Sequence, residues 1–146
     1  LGGHQLHFSS NATEILDAGI DIVLASCSLQ YIENWQTMLK LFCAAPWLLL
    51  DRVPLVDHPV DLIDIQVVPA SYTDTRYPGW KFAASSWLPR LKKCGFELVC
   101  QWTVPEDRWS ILDLVTGKMR WQAKHDHGFL LHQHREIAID QPVIKF

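Results

Sequence analysis

Ser26, Cys27 and Ser28 follow directly on a short apolar run, Ile22-Val23-Leu24-Ala25. A run without alternation, bounded by small polar residues, predicts a strand buried on both faces, as in helix-covered parallel sheets. Ligands of open α/β sheets sit just beyond the carboxyl ends of such strands. Ser26, Cys27 and Ser28 therefore line a candidate pocket; the plainer alternative is that small residues merely permit a tight strand-to-helix turn. Gln30 and Tyr31 open the helical pattern that follows. Either can point into the pocket, although Tyr31 equally suits the core. A second apolar run, Trp47-Leu48-Leu49-Leu50, leads straight into Asp51-Arg52. A guanidinium there can clamp a carboxylate or phosphate, and a carboxylate can act as general base for a hydroxyl. The alternative is an ion pair between the two or with a neighbour. His58, in the next loop, is a second base candidate, although most loop histidines are simply solvated. His125 with His127, and His132 with His134, share strand faces, and four imidazoles can bind zinc. No companion cysteine or carboxylate has convincing spacing, so no metal is expected.

Around these residues the chain alternates strand and helix signals. Leu6-His7-Phe8 suits a short strand. Ser10 or Asn11 can cap a helix over 12–17, Asn11 with Glu14 resembling a capping box, and Gly19 suits its end. Ile32, Trp35, Met38, Leu39, Phe42 and Cys43 recur at helical spacing, with Glu33, Asn34, Gln36, Thr37 and Lys40 opposite. Strand, helix and strand joined this closely predict a parallel βαβ unit. From Val53 to Tyr77 the pattern is irregular, and Pro54, Pro59, Pro69 and Pro78 exclude a long helix; Ile63 to Val67 alternates as a short strand would. Ser85 or Ser86 is expected to cap a further helix with Pro89 in its first turn. Its core face carries Trp87, Leu88, Leu91 and Cys94, and Gly95 ends it. Phe96 to Val104, Met119 to Trp121 and Gly128 to His132 read as strands, the last antiparallel.

The 146 residues bound one domain with room for a core, and the net charge of −3 argues against nucleic acid or anionic lipid as partner. Four separated cysteines, each in or beside an apolar segment, suit reduced, buried thiols and a cytoplasmic protein. The longest apolar stretch, Leu41 to Leu50, is interrupted by Pro46 and too short to span a bilayer.

This order of elements resembles the second half of a class I S-adenosylmethionine-dependent methyltransferase. Asp21 to Ile32 matches that fold's fourth strand, and Gly95-Phe96 the entry to its sixth. The resemblance is closest to a family of bacterial methyltransferases often encoded beside cell-surface polysaccharide genes. Its members carry "S-S-x-L-Q-Y-I", "D-R-x-P", "Q-x-V-P" and "Y-P-x-W" in order. Here these are Ser26 to Ile32, Asp51 to Pro54, Gln66 to Pro69 and Tyr77 to Trp80, with Cys27 in place of the usual serine. The match extends weakly to about residue 134.

The resemblance implies an α/β fold: the carboxyl-terminal half of a Rossmann-like sheet, parallel strands with a terminal antiparallel strand and helices on both faces. It implies S-adenosylmethionine beside Ser26, Cys27, Ser28 and Gln30. Asp51, Arg52, Tyr31 and His58 would then serve a small hydroxyl-bearing acceptor, such as a sugar or nucleotide-sugar. The Gly-rich turn and the ribose-binding acidic residue of such folds have no match. Residues 1–134 are therefore expected to be a partial domain of a longer protein, with 135–146 as a tail. The strand from Asp21 to Ala25 would lack one neighbour, and apolar faces would be bare. Self-association through that edge, or cover by Leu6 to Phe8 or Val143 to Phe146, is expected. A methyltransferase-like fold kept as a non-catalytic binding or interaction module is the alternative.

Overall fold

The apolar run at the centre of the chain forms strand β1 (Ile22–Ser26) in the computed structural model, which describes residues 8–17, 19–68, 71, 73–104, 109–112, 119–123 and 126–133. Ahead of it lies helix α1 (Ala12–Asp17), whose Glu14 amide donates to Asn11 Oδ1 at 3.4 Å, as the capping pattern predicts. Gly19 has φ +82, a conformation that favours glycine. After β1 the chain makes a 3-10 turn (Leu29–Tyr31), and helix α2 (Trp35–Phe42) begins three residues later than the periodicity suggested. The intended core face is right: Trp35 and Leu39 are buried, with Ile32, Met38, Phe42 and Cys43 packed beside them. Strand β2 (Trp47–Val53) then pairs parallel to β1, Ile22 beside Trp47 and Ser26 beside Asp51.

The stretch read as irregular beyond its one short strand contributes to three strands. β3 (Leu55–Val56), β4 (Leu62–Val67) and β5 (Arg76–Ala83) form a small sheet in the order β3-β5-β4. β5 escaped detection because Pro78 and Gly79 lie within it, and both residues are depleted in strands. It runs without a loop into helix α3 (Ala84–Lys93), so Ala83 is the cap and neither Ser85 nor Ser86. Pro89 thus sits past the first turn, and Leu88 is exposed, whereas Trp87 and Leu91 are buried. Gly95, at φ +87, ends α3 as expected. β6 (Phe96–Val104) follows, then a hairpin of β7 (Trp109–Leu112) and β8 (Met119–Ala123), of which only the second strand was anticipated. The last strand is β9 (Asp126–Gln133). Leu6, His7, the Pro105–Arg108 loop, His125, His134 and the 135–146 tail lie outside the described residues; Phe8 is 89% exposed and in no strand.

The main sheet has the order β1-β2-β9-β6, and β9 runs antiparallel to both its neighbours. The carboxyl ends of β1, β2 and β6 therefore meet the start of β9 at one edge. Register sorts the side chains onto two faces. Val23, Ala25, Leu48, Leu50, Phe129 and Leu131 face one way, into a single cluster with Trp35, Trp87, Leu91 and Phe82. Each fully buried leucine or phenylalanine contributes about 1.5–3 kcal/mol. Within it Phe82 stacks on Trp87 at 4.6 Å between centroids, and Trp35 meets Phe82 edge-on at 5.0 Å and Trp87 at a tilt at 5.9 Å. Because α2 and α3 both feed this cluster, they cover the same face. The expectation of helices on both faces fails among the described residues. The opposite face leaves Ile22 and Leu24 47% and 65% exposed, beside Trp47, and β1 is an edge strand. The cysteines also depart from expectation: all four are free, but Cys27 and Cys100 are exposed. Cys43 donates to the Cys94 carbonyl at 3.1 Å, and burial, with Cys94 beside it, pushes its thiol up to about 11.

A β-bulge shapes the open face. Leu50 pairs with Phe129 and Val53 with His127, so Asp51 and Arg52 together oppose Gly128. Across β9, Trp102 of β6 pairs with Gly128 and lays its indole over it. A Cβ at position 128 would lie 1.9 Å from Trp102 Cε2. Gly128→Ala is therefore expected to lower the unfolding free energy by about 1–3 kcal/mol, the range for overpacking. Urea denaturation measures this. Trp102→Ala, although costly by itself, should cancel most of the added effect of the alanine in the double variant.

Candidate functional site

Asp51 gathers the carboxyl edge of the main sheet. Ser26 Oγ donates to its Oδ2 at 3.1 Å, and Trp102 Nε1–H, reaching across β9, donates to its Oδ1 at 3.2 Å. The Asp51 carbonyl accepts from the Cys27 amide at 2.9 Å. Arg52 Nε lies 3.9 Å from Asp51 Oδ2, with the Arg52 side chain 42% exposed. The ion pair considered from sequence thus exists, but in a long, solvent-exposed form worth little to stability.

Two residues here have left-handed backbones: Cys27 at φ 47 and Arg52 at φ 55. Neither is glycine, and such a conformation costs a side-chain-bearing residue about 1–2 kcal/mol. They stand at the ends of adjacent parallel strands, a position where strained residues often serve function. Gln30 holds both in place. It is buried, and its Nε2 donates to Cys27 Sγ at 3.4 Å and to the Arg52 carbonyl at 3.5 Å. Ser28 contributes its carbonyl, which accepts from the Tyr31 amide at 3.0 Å.

The β4–β5 hairpin stands against this edge. Tyr31 donates its hydroxyl to Gln66 Oε1 at 2.8 Å and meets the ring of Tyr77 edge-on at 5.2 Å. Gly79 lets the Tyr31 ring approach; a Cβ there would sit 3.4 Å from it. Lys81, on the same hairpin face, is 8% exposed. Burial pulls its ammonium below the ordinary lysine range, while Asp64, Asp126 and Cys27 draw it back up. Asp126, at the start of β9, is itself buried. Two carboxylates, a thiol and an amine thus share the space between hairpin and sheet.

Of the residues singled out in the sequence, Ser26, Cys27, Gln30, Tyr31, Asp51 and Arg52 come together. His58 is engaged in its own turn, with Nδ1 2.8 Å from the Val60 carbonyl. Tyr31 differs from a catalytic base: burial first, then Cys27 and Tyr77, push its phenol up to about 12, so it stays a proton donor at neutral pH. Trp102, Lys81, Asp126 and Gly128 were missed. A lysine inside the apolar run Trp80-Lys81-Phe82-Ala83 was the available signal for one of them. His132 packs its ring 4.4 Å from that of Trp47, and among the described residues no three His, Cys, Asp or Glu side chains gather as a metal site.

Compared with known proteins, the chain matches no family model and no curated protein at a significant level. Among the described residues no helix is long and apolar enough to cross a membrane.

The Tyr31 geometry predicts a titration. In a spectrophotometric pH titration of the folded protein, one tyrosine should ionise at about 12 rather than near 10. That late transition should vanish in Tyr31→Phe. If the variant instead removes a transition at the ordinary tyrosine value, the phenol is not held as described.

Proposed function

We propose that this chain is the carboxyl-terminal half of a class I methyltransferase sheet, and that its bulged strand end serves methyl transfer from S-adenosylmethionine to a small hydroxyl-bearing acceptor such as a sugar. The observation that carries the reading is the paired strain at Cys27 and Arg52, on adjacent parallel strand ends with Asp51 between them. The parallel β1–β2 pair, the codirectional β6 and the antiparallel last strand support the fold. Among the described residues nothing pairs with the outer edge of β1, and Ile22 and Leu24 are exposed; this is where the resemblance puts the strands and helices that carry the Gly-rich turn.

The donor set fits such a cofactor: a hydroxyl and a thiol at a strand end, open to solvent, beside aromatic rings. When bound, S-adenosylmethionine supplies an electrophilic methyl group. Ser26 and Cys27 wall its site, and Gln30 fixes the turn that presents them. Asp51, with Ser26 and Trp102 fixing its two oxygens, can accept the proton that an acceptor hydroxyl gives up on forming its new carbon–oxygen bond. Arg52, its side chain 42% exposed beside Asp51, can hold an anionic group of the acceptor, as a nucleotide-sugar would provide. Tyr31, whose hydroxyl donates to Gln66, stays protonated at neutral pH and is no base. Most of the catalytic advantage would come from holding the two partners in line.

Calorimetric titration tests the reading. The 146-residue chain should bind S-adenosylmethionine weakly or not at all, and a longer product containing the preceding residues should bind it at micromolar level. In that longer protein, Arg52→Ala should weaken acceptor binding at least tenfold more than cofactor binding, and Asp51→Asn should stop methyl transfer with cofactor binding kept. A longer protein that does not bind the cofactor leaves the non-catalytic module as the better account.

A further inference from the structure

The β4–β5 hairpin presents its inner face to the site and its outer face to solvent. On the outer face Ile63, Ile65 and Val67 are 61%, 40% and 60% exposed. Within its own sheet β4 pairs only with β5, and β3, the third strand, has two residues. A two-stranded ribbon with an apolar face is marginally stable alone, and an apolar edge of this kind is a template for another strand. Among the described residues nothing pairs with the outer edge of β4.

We propose that this edge pairs antiparallel with the same edge of a second copy, centred on Ile65. The side chains select both partner and register. Two copies of one strand, related by a twofold axis, keep like faces together only if the axis passes through a residue position. An axis at Asp64 sets two carboxylates directly opposite, and like charges so placed are destabilising. An axis at Ile65 sets Ile65 against Ile65 and Ile63 against Val67, overlapping the strand from Ile63 to Val67. The same register sets Asp64 against Gln66 of the other copy. Gln66 already accepts the Tyr31 hydroxyl on Oε1, so its amide N–H groups remain to donate to that carboxylate. The pairing turns two ribbons into one four-stranded sheet and links each copy's β4 to the Tyr31 contact. The outer edge of β1, to which no described residue pairs, has no such selection: β1 itself carries no charged residue, and Asp21 stands before it.

Light scattering on the 146-residue chain reads the outcome. The expected mass is that of a dimer. Ile65→Lys changes an exposed side chain and should give a folded monomer by circular dichroism, whereas Leu24→Lys on the β1 edge should remain dimeric. Ile65→Cys should be joined, position 65 to position 65, by a short bifunctional thiol crosslinker and identified by peptide mass; opposite side chains lie about 4.5–5.5 Å apart at Cβ, slightly beyond the span of a direct disulfide. A monomeric wild-type chain overturns the proposal. So does a dimer dissociated by Leu24→Lys but not Ile65→Lys, or the absence of the 65–65 crosslink. Should Ile65→Lys fail to fold, the crosslink decides.

Discussion

The carboxylate of Asp51 is the group on which the carboxyl edge of the sheet depends. Strand pairing alone would align β1, β2, β9 and β6, but it would not stiffen their ends, where ladder hydrogen bonds run out. Ser26 from β1 and Trp102 from β6 close on the two oxygens of Asp51 on β2, and Trp102 passes over β9 to do so. Hydrogen bonds to a charged group contribute about 1.5–3 kcal/mol each, toward the lower end where water reaches them. That is enough to offset the left-handed backbones of Cys27 and Arg52. The strain is affordable here because the carboxylate, the bulge and Gln30 all constrain the same few residues.

Much of this was legible beforehand, for physical reasons that differ between elements. The βαβ unit announced itself because β1 and β2 are unbroken apolar runs and α2 has a strong apolar stripe, although β1 is an edge strand with Ile22 and Leu24 exposed rather than buried on both faces. Gly95 and Asn11 were readable because backbone geometry at helix ends selects residue types. β5 was not, since its Pro78 and Gly79 contradict strand propensity and only pairing with β4 overrides them. Nor was the beginning of α3, where the strand runs into the helix without the serine cap that isolated helices favour.

The candidate site was read in the same uneven way. Residues adjacent to strand ends, such as Ser26, Cys27, Asp51 and Arg52, are recoverable from local pattern. Trp102 and Gly128 are not: their relation to Asp51 spans separate strands and exists only through register. Lys81 and Asp126 are ordinary surface residue types whose burial follows from the hairpin folding against the sheet. Cys27 and Cys100, in or beside apolar segments, were expected to be buried, but Cys27 lies in the turn after β1 and Cys100 on an exposed position of β6.

The indole resting on Gly128 has a consequence for how this protein can diverge. Position 128 has no freedom while position 102 holds a tryptophan, and a smaller residue at 102 would leave Asp51 without its cross-sheet donor. A side chain at 128 is accommodated more readily once the tryptophan at 102 has been lost, since the reverse order passes through a clash. Among descendants of this sequence, a side chain at 128 should mark lineages in which the carboxylate at 51 has already been released from its role.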